Sequence, residues 1–198
     1  MVEIMMQLLP EAVVGIDAGH TSQQDCEQFA LDIAFRLLEV AIVSIHVVRK
    51  PTPHYAVAIS AGCRPSADVL ATVGGDLAVI DRDEYLVGDH PGARAAALAL
   101  WLRAKGRVIR FPGQQYLRGV MPLADVTTLS AISHVICVGG ETPTQTKLVT
   151  HDFVRPSFQA GHLTLLVAPL DDDFLMPLEP PPLEQPPVQP VGVPIRMR

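Results

Sequence analysis

The sequence predicts an α/β protein, with a Rossmann-like, mostly parallel sheet that carries helices on both faces and an extended proline-rich C-terminal tail. Three observations lead to this prediction. Short apolar segments alternate with helical segments, several of the apolar segments are apolar throughout, and glycine-containing turns follow three of them. Strands that are apolar on both sides are typical of parallel sheets, because crossover helices cover both faces.

Local residue patterns predict the individual elements. Between residues 29 and 38, apolar residues recur at helical spacing on one side, and Thr21 or Ser22 can cap this helix. β-branched residues favour strands around it, and Pro51 and Pro53 separate two of these strands, which can pair as a hairpin. In chain order, the predicted elements are a strand over 12–17, the helix after Ser22, strands over 41–48 and 54–60, a short helix over 66–72, strands over 77–80 and 85–87, a helix over 93–105, a strand over 107–111, a helix from Pro122 to about Ser130, a strand over 134–138, a short helix over 145–151 and a strand over 163–168.

The composition changes near Asp171. Eight of the eighteen prolines of the chain lie between Met176 and Pro194, and proline removes the N–H groups that helices and sheets need. We therefore expect a Rossmann-like domain over 1–170 and an extended, polyproline-like or disordered tail over 171–198.

Composition also argues against several classes of protein. The formal charge of −6 disfavours a nucleic-acid partner, and no apolar run is long enough for a membrane helix or preceded by the basic segment of a signal peptide. The three cysteines lie far apart, which favours a reducing, cytoplasmic setting. No metal-ligand spacing appears among the histidines and cysteines, so we expect neither a metal nor a cofactor.

A cluster of basic residues follows the alanine-rich helix predicted over 93–105. It comprises Arg103, Lys105, Arg107 and Arg110. These residues can form a local anion-binding patch. The alternative is a solvated helix end, where cations are favoured by the helix dipole.

Three glycine-containing turns are the candidate ligand sites. Glycine lets a ligand approach the backbone, and the N–H groups at the start of a following helix can hold an anion. If the preceding strands are parallel neighbours, all three turns lie on one edge of the sheet. The candidate residues are Gly15, Asp17 and Gly19 in the first turn, Gly88, His90, Gly92 and Arg94 at the second, and Gly139, Gly140, Thr142 and Thr144 in the third.

The segment from Leu86 to Arg94, with the helix and strand that follow it, resembles the SLOG superfamily, and most closely its YspA-like (DUF2493) members. Those members carry a GD..GAD turn before such a helix, and related LOG proteins carry a GGxGT turn where this chain reads Gly-Gly-Glu-Thr-Pro-Thr from residue 139. The likeness extends over about residues 85 to 150. It departs from the family at Arg94, where an acidic residue is expected. The resemblance implies a Rossmann-like fold that binds a nucleotide or nucleotide-derived molecule, and some such proteins cleave its N-glycosidic bond.

For an enzyme of this kind, Asp89 and Glu141 are the expected catalytic carboxylates, with Asp17 and His90 as further candidates. Glycosidic cleavage uses a carboxylate to stabilise a developing oxocarbenium ion or to activate water. Each residue also has a structural interpretation, since aspartates close turns and an anion suits a helix start. The residues do not decide between binding and catalysis.

A second class of function stays open at this stage. The high apolar content and the proline-rich tail also suit a non-catalytic assembly subunit, whose tail docks on a neighbouring copy. Under either interpretation we expect a homo-oligomer.

Overall fold

The computed structural model of the protein describes residues 12–36, 40–81, 90–139, 146–171 and 173–179. Their strands are β1 (Ala12–His20), β2 (Val40–Val48), β3 (His54–Ala61), β4 (Asp76–Asp81), β5 (Arg107–Arg110), β6 (Val120–Pro122), β7 (His134–Cys137), β8 (Lys147–Val149), β9 (Ser157–Gln159), β10 (His162–Pro169) and β11 (Phe174–Pro177). Their helices are α1 (Gln23–Arg36), α2 (Ala67–Ala71), α3 (Pro91–Trp101) and α4 (Leu123–Leu129), with one turn of 3₁₀ helix over Gln114–Tyr116.

The strands form one sheet in the order β4-β1-β3-β2-β5-β9-β10-β11-β8-β6, with β7 paired to β10. Of the ten pairings among the described residues, eight are antiparallel, and the pairs β7–β10 and β8–β11 are parallel. The prediction of a mostly parallel, Rossmann-like sheet is therefore wrong. The chain returns from β2 through a hairpin into β3, which inserts between β1 and β2, so the two strands that flank α1 are not neighbours.

The strands of the first half are apolar throughout because helices cover both faces of an antiparallel sheet. Helix α1 packs Cys26, Ala30 and Ile33 against one face, where Val14 is among the strand residues of the same cluster. Helix α3 covers the other face with a separate cluster. Burial on both faces thus accounts for the apolar pattern without parallel pairing.

Helix α3 lies very close to the sheet. Its buried side is made of small residues, including Ala93, Ala96 and Ala97. Gly15 lies within β1 and not in a turn, and a Cβ at this position would overlap the backbone carbonyl of Ala93. Gly15 therefore serves the close packing of α3 on β1.

The described part of the second half contains short strands that the sequence does not predict, namely β6, β8, β9 and β11. The helix predicted over 145–151 is wrong, because Lys147–Val149 forms β8 between β11 and β6. Strands of three residues are too short to show a periodicity of their own. The sheet also continues past residue 170, since Phe174–Pro177 forms β11 beside β10. The strand predicted over 85–87 lies outside the described residues, as does most of the predicted proline-rich tail, residues 180–198.

Within the described ranges, no helix is long and apolar enough to cross a membrane.

Candidate functional site

Four polar side chains meet where helix α3 begins, over the three neighbouring strands β4, β1 and β3. They are Asp17 of β1, His54 of β3, Asp76 of β4 and His90, which caps α3, and we call them the polar cluster. Asp17 lies directly opposite Asp76 in the ladder. Because side chains alternate along a strand, Asp17 shares the α3 face with Val13, four residues earlier. The cluster thus interrupts an otherwise apolar face of the sheet.

The carboxylate of Asp17 is the buried centre of the polar cluster, and the residue is only 3% exposed. Its Oδ1 accepts the backbone N–H of Gly19 at 3.0 Å, and its Oδ2 accepts His54 Nε2 at 2.8 Å. A Cβ at Gly92, in the first turn of α3, would overlap this carboxylate. The absence of a side chain at Gly92 therefore makes room for Asp17 at the positive end of the helix dipole.

His54 is held by an acceptor at each ring nitrogen. Its Nδ1 lies 2.6 Å from the carbonyl oxygen of Thr52, and its Nε2 lies 2.8 Å from Asp17 Oδ2. A carbonyl and a carboxylate can only accept, so both ring nitrogens donate and the imidazole is protonated. The hydrogen bond to Asp17, followed by the bond to Thr52, raises the pKa of His54 above its ordinary value.

His90 lies between a buried and an exposed carboxylate. Its Nδ1 is 3.4 Å from Asp17 Oδ2 and its Nε2 is 3.1 Å from Asp76 Oδ2. The Nδ1 atom is buried and forms no hydrogen bond within the described residues. The side chains of His90 and Asp76 are 41% and 62% exposed, so this side of the cluster meets solvent.

The arrangement is suited to proton transfer at the exposed edge of the cluster. Acid–base chemistry needs a titratable group that can touch a substrate, with a second group that orients it, and Asp76, with His90 Nε2 3.1 Å away, satisfies both conditions. The cluster is not arranged as a metal centre. The part of the chain that the structure describes contains no group of three or more histidine, cysteine or acidic side chains that could hold a metal ion. In the cluster, both ring nitrogens of His54 are already engaged in hydrogen bonds.

The structure brings together part of the predicted site. Asp17, Gly19, His90 and Gly92 meet in or beside the polar cluster. Arg94 lies on the exposed side of α3. The start of α3, where the sequence predicted an anionic ligand, is approached by the protein's own Asp17 carboxylate.

The third predicted turn lies elsewhere in the sheet. Gly139 follows β7, and the strands β3, β2, β5, β9 and β10 stand between β1 and β7 in the pairing order. The expectation that three turns share one edge depended on parallel strands, and antiparallel pairing removes its basis. The remaining predicted residues, Gly88, Asp89, Gly140, Glu141, Thr142 and Thr144, lie outside the described residues.

Sequence reasoning missed His54 and Asp76 as members of the site. Both lie at the first residue of a strand, on the same face as the alternating buried alanines of β3 and β4. The alternation that places them on this face can be read from the sequence. Their contact with Asp17 depends on β3 and β4 flanking β1, which no local pattern encodes.

A scan of the sequence against protein-family models finds no match, and searches of curated proteins and of solved structures find none either.

Proposed function

We propose that the protein binds a nucleotide or nucleotide-derived small molecule beside the polar cluster and hydrolyses its N-glycosidic bond there. The observation that carries this proposal is the position of His90, whose imidazole lies between the carboxylates of Asp17 and Asp76. The predicted resemblance of residues 85 to 150 to SLOG proteins supports the same class of substrate.

Asp76 and His90 are the residues assigned to the reaction, because they are the exposed members of the cluster. Water adds its oxygen to C1′ of the sugar while the C1′–N bond breaks, and the bonding electron pair leaves with the base. The carboxylate of Asp76 accepts the proton of the attacking water, and the leaving nitrogen takes up a proton from solvent. The imidazole of His90 donates from Nε2 to this carboxylate and orients it. Before the proton is transferred, the negative charge of Asp76 also stabilises the positive charge that develops on the sugar ring.

Asp17 has a positioning role in this proposal. Its side chain is 1% exposed, so it does not touch a substrate. It bonds the protonated ring of His54 and lies 3.4 Å from Nδ1 of His90, so its charge faces the exposed imidazole from the buried side.

The test is release of free base from nucleoside monophosphates, nucleosides and ADP-ribose, measured by liquid chromatography on the purified full chain. We expect release by the wild type, and a loss of about a hundredfold or more in His90→Gln and Asp76→Asn. Asp68→Asn, at an exposed carboxylate in the first turn of α2, is the matched control.

No release from any of these compounds would contradict the hydrolysis, as would equal release by the wild type and both cluster variants. Asp89→Ala and Glu141→Ala test the two predicted catalytic residues that lie outside the described part of the chain. A loss confined to these two variants would move the reaction away from the polar cluster.

The proposal also includes a cytoplasmic location and a homo-oligomeric state. Cys26, Cys63 and Cys137 are free thiols, which supports a reducing compartment. Ile136 and Val138, in and just after β7, are 44% and 45% exposed, which supports contact with another copy. Size-exclusion chromatography with light scattering on the full chain tests the homo-oligomeric state. A mass equal to that of a single chain would contradict it.

A further inference from the structure

A second polar region lies at the same end of the sheet, where β2 and β5 separate. The ladder between these strands begins at Ile45 and Arg107, and the residues of β2 beyond Ile45 face the loop that leads into β5. This separation leaves a cavity of about 310 Å³. Its volume is at the lower end of the range for small-molecule sites, which is about 300 to 1,000 Å³.

The lining of this cavity is basic, although the chain as a whole is acidic. Among the residues that the structure describes, Arg49, Lys105 and Arg107 contribute to the wall, and no carboxylate does so. Arg107 is neutralised, because it forms ion pairs with Glu27 and Glu179. Arg49 and Lys105 have no ion-pair partner among the described residues. Two uncompensated cations therefore remain at the cavity, and these attract an anion.

The wall also holds a buried imidazole with one nitrogen unsatisfied. His46 is 5% exposed, and its Nε2 lies 2.8 Å from Ser44 Oγ. Its Nδ1 has no hydrogen-bond partner within the described residues. Gly106, which also lines the cavity, is at φ +130°, and a Cβ there would overlap the ring of His46. A buried polar atom without a partner costs free energy, so a group that bonds it here is favoured.

The other lining groups suit an organic molecule that carries the anion. Tyr55 and Gln23 add a hydroxyl and an amide, which can donate further hydrogen bonds. Ile45 and Val47 add an apolar wall. Several charged and neutral donors at one site match the oxygens of a phosphate group, and the apolar wall matches a carbon skeleton.

We infer that this basic cavity, lined by His46, Arg49 and Lys105, is a binding site for a small organic phosphate. The inference does not rest on the proposed hydrolysis, because none of these residues belongs to the polar cluster.

The test is isothermal titration of the full chain with three probes: ribose 5-phosphate, inorganic phosphate and ribose. We expect ribose 5-phosphate to bind most tightly, inorganic phosphate more weakly, and ribose not at all. Arg49→Gln and Lys105→Gln should each weaken the binding of ribose 5-phosphate about tenfold, since a charged hydrogen bond is lost. Both residues are exposed, so these variants are expected to fold.

Lys147→Gln is the matched control, because Lys147 is an exposed lysine of β8 that does not line this cavity. Equal weakening in Lys147→Gln and Lys105→Gln would overturn the site, as would absence of phosphate binding at millimolar concentration. Equal affinity for inorganic phosphate and ribose 5-phosphate would overturn the assignment to an organic phosphate.

A second readout follows the His46 ring directly. Burial, followed by the charge of Lys105, lowers the pKa of His46 to about 4. A bound phosphate opposes the charge of Lys105, so the Cε1–H resonance of His46 should shift on addition of ribose 5-phosphate and its pKa should rise. Asp76→Asn must retain this shift even if no base is ever released, which separates this site from the proposed hydrolysis. A resonance that does not move would overturn the site.

Discussion

Two histidines of the β2–β3 hairpin lie on the same face of the sheet and have opposite protonation behaviour. His46 pairs with Ala56, and His54 pairs with Val48, two residues further along the ladder. His54 lies between a carboxylate and a carbonyl, which raise its pKa, whereas His46 is buried near Lys105, and its pKa falls to about 4. The charge of each imidazole is therefore decided by its surroundings. β1 supplies the Asp17 carboxylate to His54, whereas His46 is kept neutral first by burial and then by the charge of Lys105 in the loop before β5.

Each region also depends on one glycine that makes room for its polar group. Gly92 accommodates the carboxylate of Asp17, and Gly106 accommodates the ring of His46. A substitution at one of these glycines therefore disturbs its own region and leaves the other region unchanged.

The largest effects are expected from filling these spaces. Gly92→Ala and Gly106→Ala should each lower the free energy of unfolding by about 3 kcal/mol, because the added methyl overlaps a buried polar group. Gly106 also has a φ of +130°, which alanine rarely adopts. Urea denaturation measures the free energy of unfolding of both variants. The control is Gly74→Ala, where nothing lies within 4 Å of the added Cβ, and its effect should be within about 0.5 kcal/mol. Wild-type stability in either of the first two variants would contradict the packing described.

The next largest effect is on how the free energy of unfolding depends on pH, which differs between the two histidines. His46 has a folded-state pKa of about 4, below its ordinary value of 6.5, so the folded protein binds fewer protons than the unfolded chain in this range. Its contribution is present above pH 6.5 and is lost as the pH falls through this window, in total about 3 kcal/mol. Unfolding free energies across this window should fall less steeply in His46→Gln than in the wild type. Equal slopes would show that His46 does not carry this effect.

His54 should show the opposite dependence. Its folded-state pKa is raised, so its contribution is complete below its ordinary value of 6.5 and is lost as the pH rises through the folded-state value. At about pH 6, His54→Gln should lower the free energy of unfolding by about 2 kcal/mol, because the buried carboxylate of Asp17 loses its charged partner. The difference from the wild type should shrink at about pH 9. A difference that grows with pH would contradict the protonated assignment.

The smallest effect is expected at the exposed edge of the polar cluster. Asp76 is 62% exposed and bonds His90, which is 41% exposed, so solvent weakens their interaction. Asp76→Asn should change the free energy of unfolding by no more than about 0.5 kcal/mol. Thermal denaturation measures this change. A loss of several kcal/mol would mean that Asp76 is structural and would weaken its assignment to a reaction.

Local patterns predict the elements of the first half well, and they fail on how these elements pair. The helical stripe, the hairpin and the short helix after Ser66 are confirmed as α1, β2–β3 and α2. The parallel sheet is wrong because two covering helices give the same apolar pattern in an antiparallel sheet. Asp17 and His90 can be predicted from the sequence because each lies two residues from a glycine on either side, in segments that read as turns. His54 could not be predicted as a site residue from local patterns, because its place depends on β3 pairing with β1. That pairing arises because the hairpin folds back and inserts β3 between β1 and β2.

The basic cavity, too, is only partly predictable from local patterns. The sequence predicts Lys105 and Arg107 as part of a possible anion-binding patch, because they cluster after a predicted helix. His46 and Arg49 join them only because β5 separates from β2 after Ile45.

The central claim is that, at neutral pH, the His54 imidazole is protonated and the His46 imidazole is neutral. A single NMR titration of the histidine Cε1–H resonances tests it, with His46→Gln and His54→Gln used to assign the two signals. We predict that His54 titrates above the ordinary histidine value of 6.5 and that His46 titrates well below it, near pH 4. Two resonances that titrate together near 6.5 would contradict both the ion pair in the polar cluster and the buried neutral ring in the basic cavity.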